Sequence, residues 1–335
     1  MVAEVKEMMN LAIDAMSGDL GSKPVVEAVK EFIKDNKDVH LQVVGKEEEL
    51  SELQSLAQVT IIDARDVMEM TESILAVRRK KESSMFKAVH LVKNNEADAI
   101  VSCGNTGAYY ASCMLFLKRI EGVEKSCLMA TMPTYNRKGV LMLDVGANAE
   151  NTPEQLTQFA IMGSIYASLV NGVASPKVAL LNIGSEEKKG DEVHQATFKL
   201  LKESHLNFQG NIEGREILDG EIDVVVTDGF SGNIALKSIE GTAKMVMKLL
   251  KETLMSSTSG KIGALIAKSS FKSLMDTFDY RSAGGALMVG FDHPVIKAHG
   301  GSDAKAFLNA MILAKTMVEA DVVAKMKEGL NNETD

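Results

Sequence analysis

The stretch AIVSCGNTGA, residues 99–108, runs apolar, stops at a glycine beside an asparagine and passes into helix-like sequence. The same order recurs in VLMLDVGANAE (140–150), VALLNIGSEEKKG (178–190) and VVVTDGFSGNIALK (224–237). A strand buried on both faces reads as a continuous apolar run, and strands alternating with helices imply a parallel sheet. The glycine-asparagine loops are then expected together at the carboxyl ends of the strands, on one rim. Glycine lets a ligand approach the backbone, and asparagine tolerates the left-handed region while offering an amide that donates and accepts. Such a rim suits an oxyanion or a phosphate.

Working outward, strand-like LAID, VHLQVVG, VTIIDA, SCLMAT and IDVVVTDG join these runs. Helices are expected near 25–35, 46–57, 83–94, 106–118, 153–170 and 190–203. No repeat or low-complexity linker interrupts the alternation, so residues 1–335 read as one doubly wound α/β body with a largely parallel sheet. Hydrophobic residues make up 45% and charged residues 25%, an ordinary balance for a globular enzyme. With a formal net charge of −9 and no Trp, the chain lacks the basic surface and stacking platforms of a nucleic-acid binder. The first residues have no signal-peptide shape and no uncharged stretch of about 18 residues occurs, so a cytoplasmic protein is expected. Cys103, Cys113 and Cys127 lack metal-ligand spacing, and no metal site is expected. Only Cys103 lies beside a glycine loop, where a thiol nucleophile is the alternative to a buried small hydrophobe.

Residues 231–278 differ. Ile239, Ala243, Val246, Leu250 and Leu254 step by three and four along one helix face. SSTSGK interrupts, and Ala264, Ala267, Phe271, Leu274 and Phe278 repeat the spacing, so the segment reads as a projecting helical hairpin. Such a pair buries its stripes against the same hairpin of a second subunit, which implies a homodimer. At the turn, Ile262, Leu265 and Ile266 stand off the stripe among Lys261, Lys268 and Lys272. That tip reads either as dimer core or as a reversible membrane contact at the inner face of the cell membrane.

The common cofactor and nucleophile motifs are absent: GxGxxG after a strand, GxxxxGK[ST], GxSxG and HExxH. In VIKAHGGSDAKA (295–306), Lys297 and His299 precede a helix start, where cations can hold a phosphate; an N-cap at Ser302 or Asp303 explains part of that loop without function.

AIDAMSGDLGSKP, RRKKESSMFKA, AIVSCGNTGA, LDVGANAENTPEQLTQFAIMGSIYA, LLNIGSEEKKGDE, FQGNIEGREIL, VVVTDGFSGNIALKSIEG, GGALMVG and VIKAHGGSDAKAF resemble, in order, the blocks of the bacterial acyl-ACP:phosphate acyltransferases, the PlsX family. Ser17 departs from a usual glycine, Ala286 from a proline and Gly301 from a serine. The resemblance implies transfer of a fatty acyl chain from acyl carrier protein to inorganic phosphate, giving an acyl phosphate for phospholipid synthesis. It also implies a body similar to the isocitrate and isopropylmalate dehydrogenases and to phosphotransacetylases, and no cofactor. Phosphate is then the nucleophile, and the site must hold it, orient it and stabilise a tetrahedral oxyanion.

Under that resemblance Lys189 is the first candidate for oxyanion stabilisation and Asn233 the second, with Lys237 one turn on. Gly104, Asn105, Thr106 and Asn148 are candidates to cradle phosphate or the carbonyl oxygen. Lys297 and His299 are candidate phosphate ligands beside Ser302, with His299 a candidate proton donor to the leaving thiolate. The acidic carrier protein needs a basic landing surface, and Arg78-Arg79-Lys80-Lys81 or the hairpin lysines qualify. Two other classes stay open: a nicotinamide-dependent dehydrogenase on the same scaffold, for which Asp14, Asp19, Asp144 and Asp228 are too dispersed, and a non-catalytic membrane-associated scaffold.

Overall fold

The computed structural model describes residues 8–69, 72, 74–271 and 284–332. Its centre is an 11-stranded sheet: β1 (Met9–Asp14), β2 (Val39–Gly45), β3 (Val59–Asp63), β4 (Ala99–Ser102), β5 (Cys127–Met132), β6 (Val140–Leu143), β7 (Lys177–Leu181), β8 (Asn207–Ile212), β9 (Val224–Val226), β10 (Ala286–Val289) and β11 (Val295–Lys297). They are ordered β3-β2-β1-β4-β11-β10-β5-β6-β9-β7-β8. The helices are α1 (Lys23–Asp35), α2 (Ser84–Lys93), α3 (Thr106–Phe116), α4 (Pro153–Leu169), α5 (Glu192–Glu203), α6 (Gly229–Met255), α7 (Thr258–Ile266), α8 (Ala304–Glu319) and α9 (Val322–Asn332).

The apolar runs form strands because both faces are covered. Leu11 and Ile13 of β1 join one core with Val25 and Phe32 of α1, Phe159 of α4 and Phe307 of α8. Ala12, on the other face, joins Met85 and Val89 of α2, Tyr109 and Cys113 of α3, and the start of α6 through Ala235, Leu236 and Ile239. Helix starts follow local caps. Thr152 and Gln155 form a reciprocal capping box around Pro153 at the start of α4, and Asn105, Asp191, Asp228 and Asp303 cap α3, α5, α6 and α8.

The sheet is mixed, and this corrects the single rim. Pairs β11–β10, β10–β5 and β5–β6 are antiparallel, and the others are parallel. Strands β1, β4 and β11 therefore point one way, and β6, β9 and β7 the other. The GNTG loop leaves one edge of the sheet, while the loops after β6, β7 and β9 leave the opposite edge. The cause is connection length. Only residues 133–139 join β5 to β6 and only 290–294 join β10 to β11, whereas a parallel crossover needs about a dozen residues. Arg137 and Gly139 turn the first connection at φ 63° and 79°.

Two local expectations also change. The helix expected near 46–57 is a loop with a single 3-10 turn at Ser51–Leu53, because the segment has only Leu50, Leu53 and Leu56 to bury. FQGNI is a strand, β8, and GGALMVG and VIK supply β10 and β11. In the hairpin region the first helix starts earlier than its stripe, at Gly229. The break falls at Ser256 and Ser257, where the Ser257 hydroxyl accepts from the Gly260 N–H at 3.0 Å and caps α7. Lys272, Leu274 and Phe278 lie outside the described residues.

Candidate functional site

The first rim collects the loops after β1, β4 and β11. Asp14, fully buried at the end of β1, accepts from the Ser84 hydroxyl on Oδ1 and from the Ser102 hydroxyl on Oδ2, both at 2.6 Å. These bonds tie the start of α2 and the end of β4 to β1. The Ser102 Oγ in turn accepts from the Gly104 N–H at 3.1 Å, which bends the GNTG loop over it. A Cβ on Gly104 would lie 2.4 Å from the Met85 methyl and 2.8 Å from Ser17 Cβ, so glycine is required for this approach. The Asp19 N–H donates to the Gly300 carbonyl at 2.9 Å and the Ala298 N–H to the Ser102 carbonyl at 2.9 Å, which closes the three loops on one another.

Lys297 sits among them, 7% exposed, its ammonium donating to the Ala298 carbonyl. Burial pushes its pKa down to about 8, against the pull of Cys103, Asp19 and Asp14. Near it, Ser17 and Ser302 carry buried hydroxyls without a hydrogen-bond partner among the described residues. Each such hydroxyl costs free energy unless a ligand or water meets it. His299 lies at the outer margin of the rim, its Nδ1 accepting from the Gly301 N–H at 3.1 Å. Desolvation of its ring, and then the Lys297 charge, lower its pKa, so the ring is neutral near pH 7 and better placed to accept a proton than to give one.

Asn105 spends its side-chain oxygen on the Ala108 N–H at 2.9 Å, and Thr106 is the first residue of α3. Asp303, not Ser302, caps α8, accepting from the Ala306 N–H at 2.9 Å. Cys103 is 4% exposed and burial raises its thiol to about 12, which keeps it protonated.

The second rim collects the loops after β6, β7 and β9. Asp144, fully buried, accepts from the N–H groups of Leu128, Gly146 and Ala147 on Oδ1 and from Asn148 on Oδ2. Desolvation raises its pKa in spite of these donors. The Asn148 amide is built into the loop: Nδ2 donates to Ser126 O at 2.7 Å and to Asp144 Oδ2 at 2.9 Å, while Oδ1 accepts from Tyr110 at 3.3 Å. It shapes this rim and has little left to offer a substrate. Asn233, exposed on the second turn of α6, lies against Gly146, whose φ of +129° and absent Cβ make room for it. A Cβ on Gly232 would lie 1.9 Å from the Asp144 carbonyl, so α6 starts tight against this loop.

Lys189 is exposed, its Nζ 3.9 Å from Glu186 and its chain lying across Gly184. His194 joins its loop to α6, with Nδ1 2.7 Å from Asp191 Oδ1 and Nε2 3.8 Å from Asp228 Oδ2. Lys189 and Asn233 thus share a rim, and α6 carries that rim toward the first. Lys237, ion-paired with Glu240 at 3.1 Å, adds to the lowering of the pKa of both Lys297 and His299.

Sequence reasoning missed Asp14, Ser84, Ser17 and His194. For Asp14 a signal existed, since a carboxylate ending an apolar strand requires donors, and the SS of RRKKESSM supplies hydroxyls. Among the described residues no three His, Cys, Asp or Glu side chains cluster as metal ligands.

The profile of the fatty acid synthesis protein family matches residues 9–325. The phosphate acyltransferase of Bacillus pumilus (strain SAFR-032) is 46% identical over 97% of this chain and 99% of its own length. That of Lysinibacillus sphaericus (strain C3-41) is 47% identical over 96% and 98%. A phosphotransacetylase from Streptococcus pyogenes superposes with a TM-score of 0.61 over 95% of each chain at 17% identity, a likeness of fold. The chain therefore belongs to the fatty acid synthesis protein family, as one of its phosphate acyltransferases.

Proposed function

We propose that the acyl donor is the thioester of acyl carrier protein, that inorganic phosphate binds on the first rim, and that Lys189 and Asn233 on the second rim stabilise the reacting carbonyl. The observation that carries this reading is Lys297, buried with the unpartnered hydroxyls of Ser17 and Ser302 close to the starts of α3 and α8. A buried cation, two donors and two helix N-termini form a hole for a small multivalent anion. A phosphate oxygen attacks the thioester carbon, the C–O bond forms, the tetrahedral oxyanion collapses and the C–S bond breaks, the carrier thiol taking up a proton. Lys237 and the backbone N–H groups at the start of α3, from Thr106 on, complete the charge balance, and Asn148 holds the loop that faces Asn233. A neutral His299 takes the proton of a protonated phosphate as its oxygen attacks and passes that proton to the departing thiolate, acting first as base and only then as acid. The protonated Cys103 favours direct attack over a covalent acyl-enzyme.

The reaction so written requires no resident cofactor or metal. Purified protein given palmitoyl-acyl carrier protein should release a hydroxylamine-trappable acyl phosphate only when phosphate is present, without added metal or nucleotide. A strict need for NAD or ATP would refute the reading.

The kinship with the isocitrate and isopropylmalate dehydrogenases, the homodimer built through residues 231–278, and a cytoplasmic protein touching the membrane at its tip belong to the same proposal. No described helix is long and apolar enough to cross a membrane. Ile262, Leu265 and Ile266 are 56%, 74% and 80% exposed on the chain by itself, which supports a tip facing lipid or a second subunit.

A further inference from the structure

Along α2 and the end of α3 an open hollow of about 320 Å³ is lined by Arg78, Lys81, Phe86, His90, Leu115 and Phe116. Its floor is aromatic. The His90 ring stacks on Phe86 at 3.9 Å, and Phe116 meets Phe86 edge-on at 5.1 Å. Leu115 beside them is 42% exposed. Its margin is cationic, with Lys93 Nζ 5.7 Å from the Phe116 ring centre.

The neighbouring cations are already neutralised. Lys80 pairs with Asp66 and Glu72 at 3.3 and 2.9 Å, and Lys87 with Glu82 at 2.7 Å. Arg78, Lys81 and Lys93 are exposed and pair with no carboxylate among the described residues. On a chain of net charge −9 this leaves a local positive field over an apolar floor. His90 records that field: after desolvation, the charges of Lys93 and Lys81 lower its pKa. Its Nδ1–H donates to the Phe86 carbonyl at 2.9 Å, so the ring belongs to the floor and not to the charged margin. The complement of such a surface is a row of carboxylates beside one or two apolar side chains.

The hollow also lies on the path to the site. Helix α2 starts at Ser84, whose hydroxyl holds Asp14, and Met85 packs against the GNTG glycine. His90 is six residues further on, about 9 Å along the helix axis. A protein seated here holds its cargo beside the first rim. The hairpin lysines Lys261 and Lys268 flank an apolar tip instead, with no such hollow described there.

We infer that this hollow is the docking surface for the acyl carrier protein, with Arg78, Lys81 and Lys93 meeting its carboxylates and the floor of Phe86, Leu115 and Phe116 taking an apolar side chain. The inference rests on the acyl-carrier reading above. Oppositely charged margins set the encounter rate and its salt dependence, while a filled apolar floor slows release.

The test is the doubly reversed variant Arg78→Glu/Lys81→Glu, read against palmitoyl-acyl carrier protein and palmitoyl-coenzyme A, which carry the same thioester. With the carrier protein KM should rise about tenfold or more, kcat should hold, and the loss of rate on adding salt should flatten. With the coenzyme A thioester KM should move less than about twofold. Titration of the carrier protein onto this variant should give the same tenfold weakening without turnover. The matched variant Lys261→Glu/Lys268→Glu should leave both donors unchanged. An unaltered affinity in the Arg78/Lys81 variant, or a loss found only in the hairpin variant, overturns the docking surface and leaves the acyl-transfer reading intact. Wild-type protein that forms no acyl phosphate from either thioester overturns both.

Discussion

Replacing Lys297 with methionine separates the cost of a buried charge from its use. The ammonium is 7% exposed, and its pKa falls from an ordinary 10.5 to about 8. Each pKa unit corresponds to about 1.4 kcal/mol, so holding the charge inside the empty fold costs roughly 3 kcal/mol. Because the folded value is depressed, the unfolded chain binds the proton more tightly. The cost is full below pH 8, shrinks between the folded and unfolded values, and is gone above the unfolded one. Methionine keeps the volume and removes the charge, at the loss of the charged hydrogen bond to the Ala298 carbonyl, worth about 2 kcal/mol. The phosphate-free variant should therefore be more stable than wild type at pH 7 by about 1 kcal/mol, a Tm gain of about one or two degrees that fades toward pH 10. Function should move the other way. A charged hydrogen bond contributes about 1.5–3 kcal/mol, so KM for phosphate should rise about 10- to 100-fold. In wild type the same KM should climb above pH 8 as the ammonium deprotonates, and in the variant that climb should be absent. Thermal melts from pH 7 to 10 with and without phosphate, beside initial rates, measure all of this. A variant less stable than wild type at pH 7 refutes the buried charge, and an unchanged phosphate KM removes Lys297 from the anion site.

Lys189→Ala and Asn233→Ala should each lower kcat about 10²-fold or more with the fold intact, the scale for losing one preorganised donor to an oxyanion; wild-type rates in folded Asn233→Ala protein would exclude that role. Cys103→Ala should keep most activity, since its thiol is protonated and buried, and a folded but inactive variant would restore the covalent route. Leu265→Glu/Ile266→Glu should release the protein from anionic vesicles in flotation while dimer mass and soluble activity persist. Dissociation of the dimer instead would assign these residues to the subunit interface.

Much of the architecture was legible because it depends on neighbours in sequence. Continuous apolar runs require cover on both faces, and Asn105, Asp228 and Asp303 sit where helix starts need an acceptor, so strands, helix starts and the phosphate-friendly chemistry of the loops follow locally. The hairpin break at Ser256 and Ser257 is equally local. The reversal of the sheet was legible in principle, from the short connections 133–139 and 290–294, yet its consequence concerns the whole molecule: GNTG and SGN leave opposite edges and are related through α6 and through Tyr110 of α3, whose hydroxyl reaches Asn148.

What each polar group does was decided in three dimensions. Asp14 finds hydroxyls 70 and 88 residues away in Ser84 and Ser102, and the Asn148 amide is consumed by Asp144, Ser126 and Tyr110 rather than left for substrate. Lys297 differs from the surface lysines by its burial, and Ser17 and Ser302 hold buried hydroxyls without a partner among the described residues. Residue type and spacing determine which backbone a segment adopts, since those energies are local; desolvation and hydrogen-bond competition, which turn a lysine or an asparagine into a ligand or a strut, arise only when distant segments pack together.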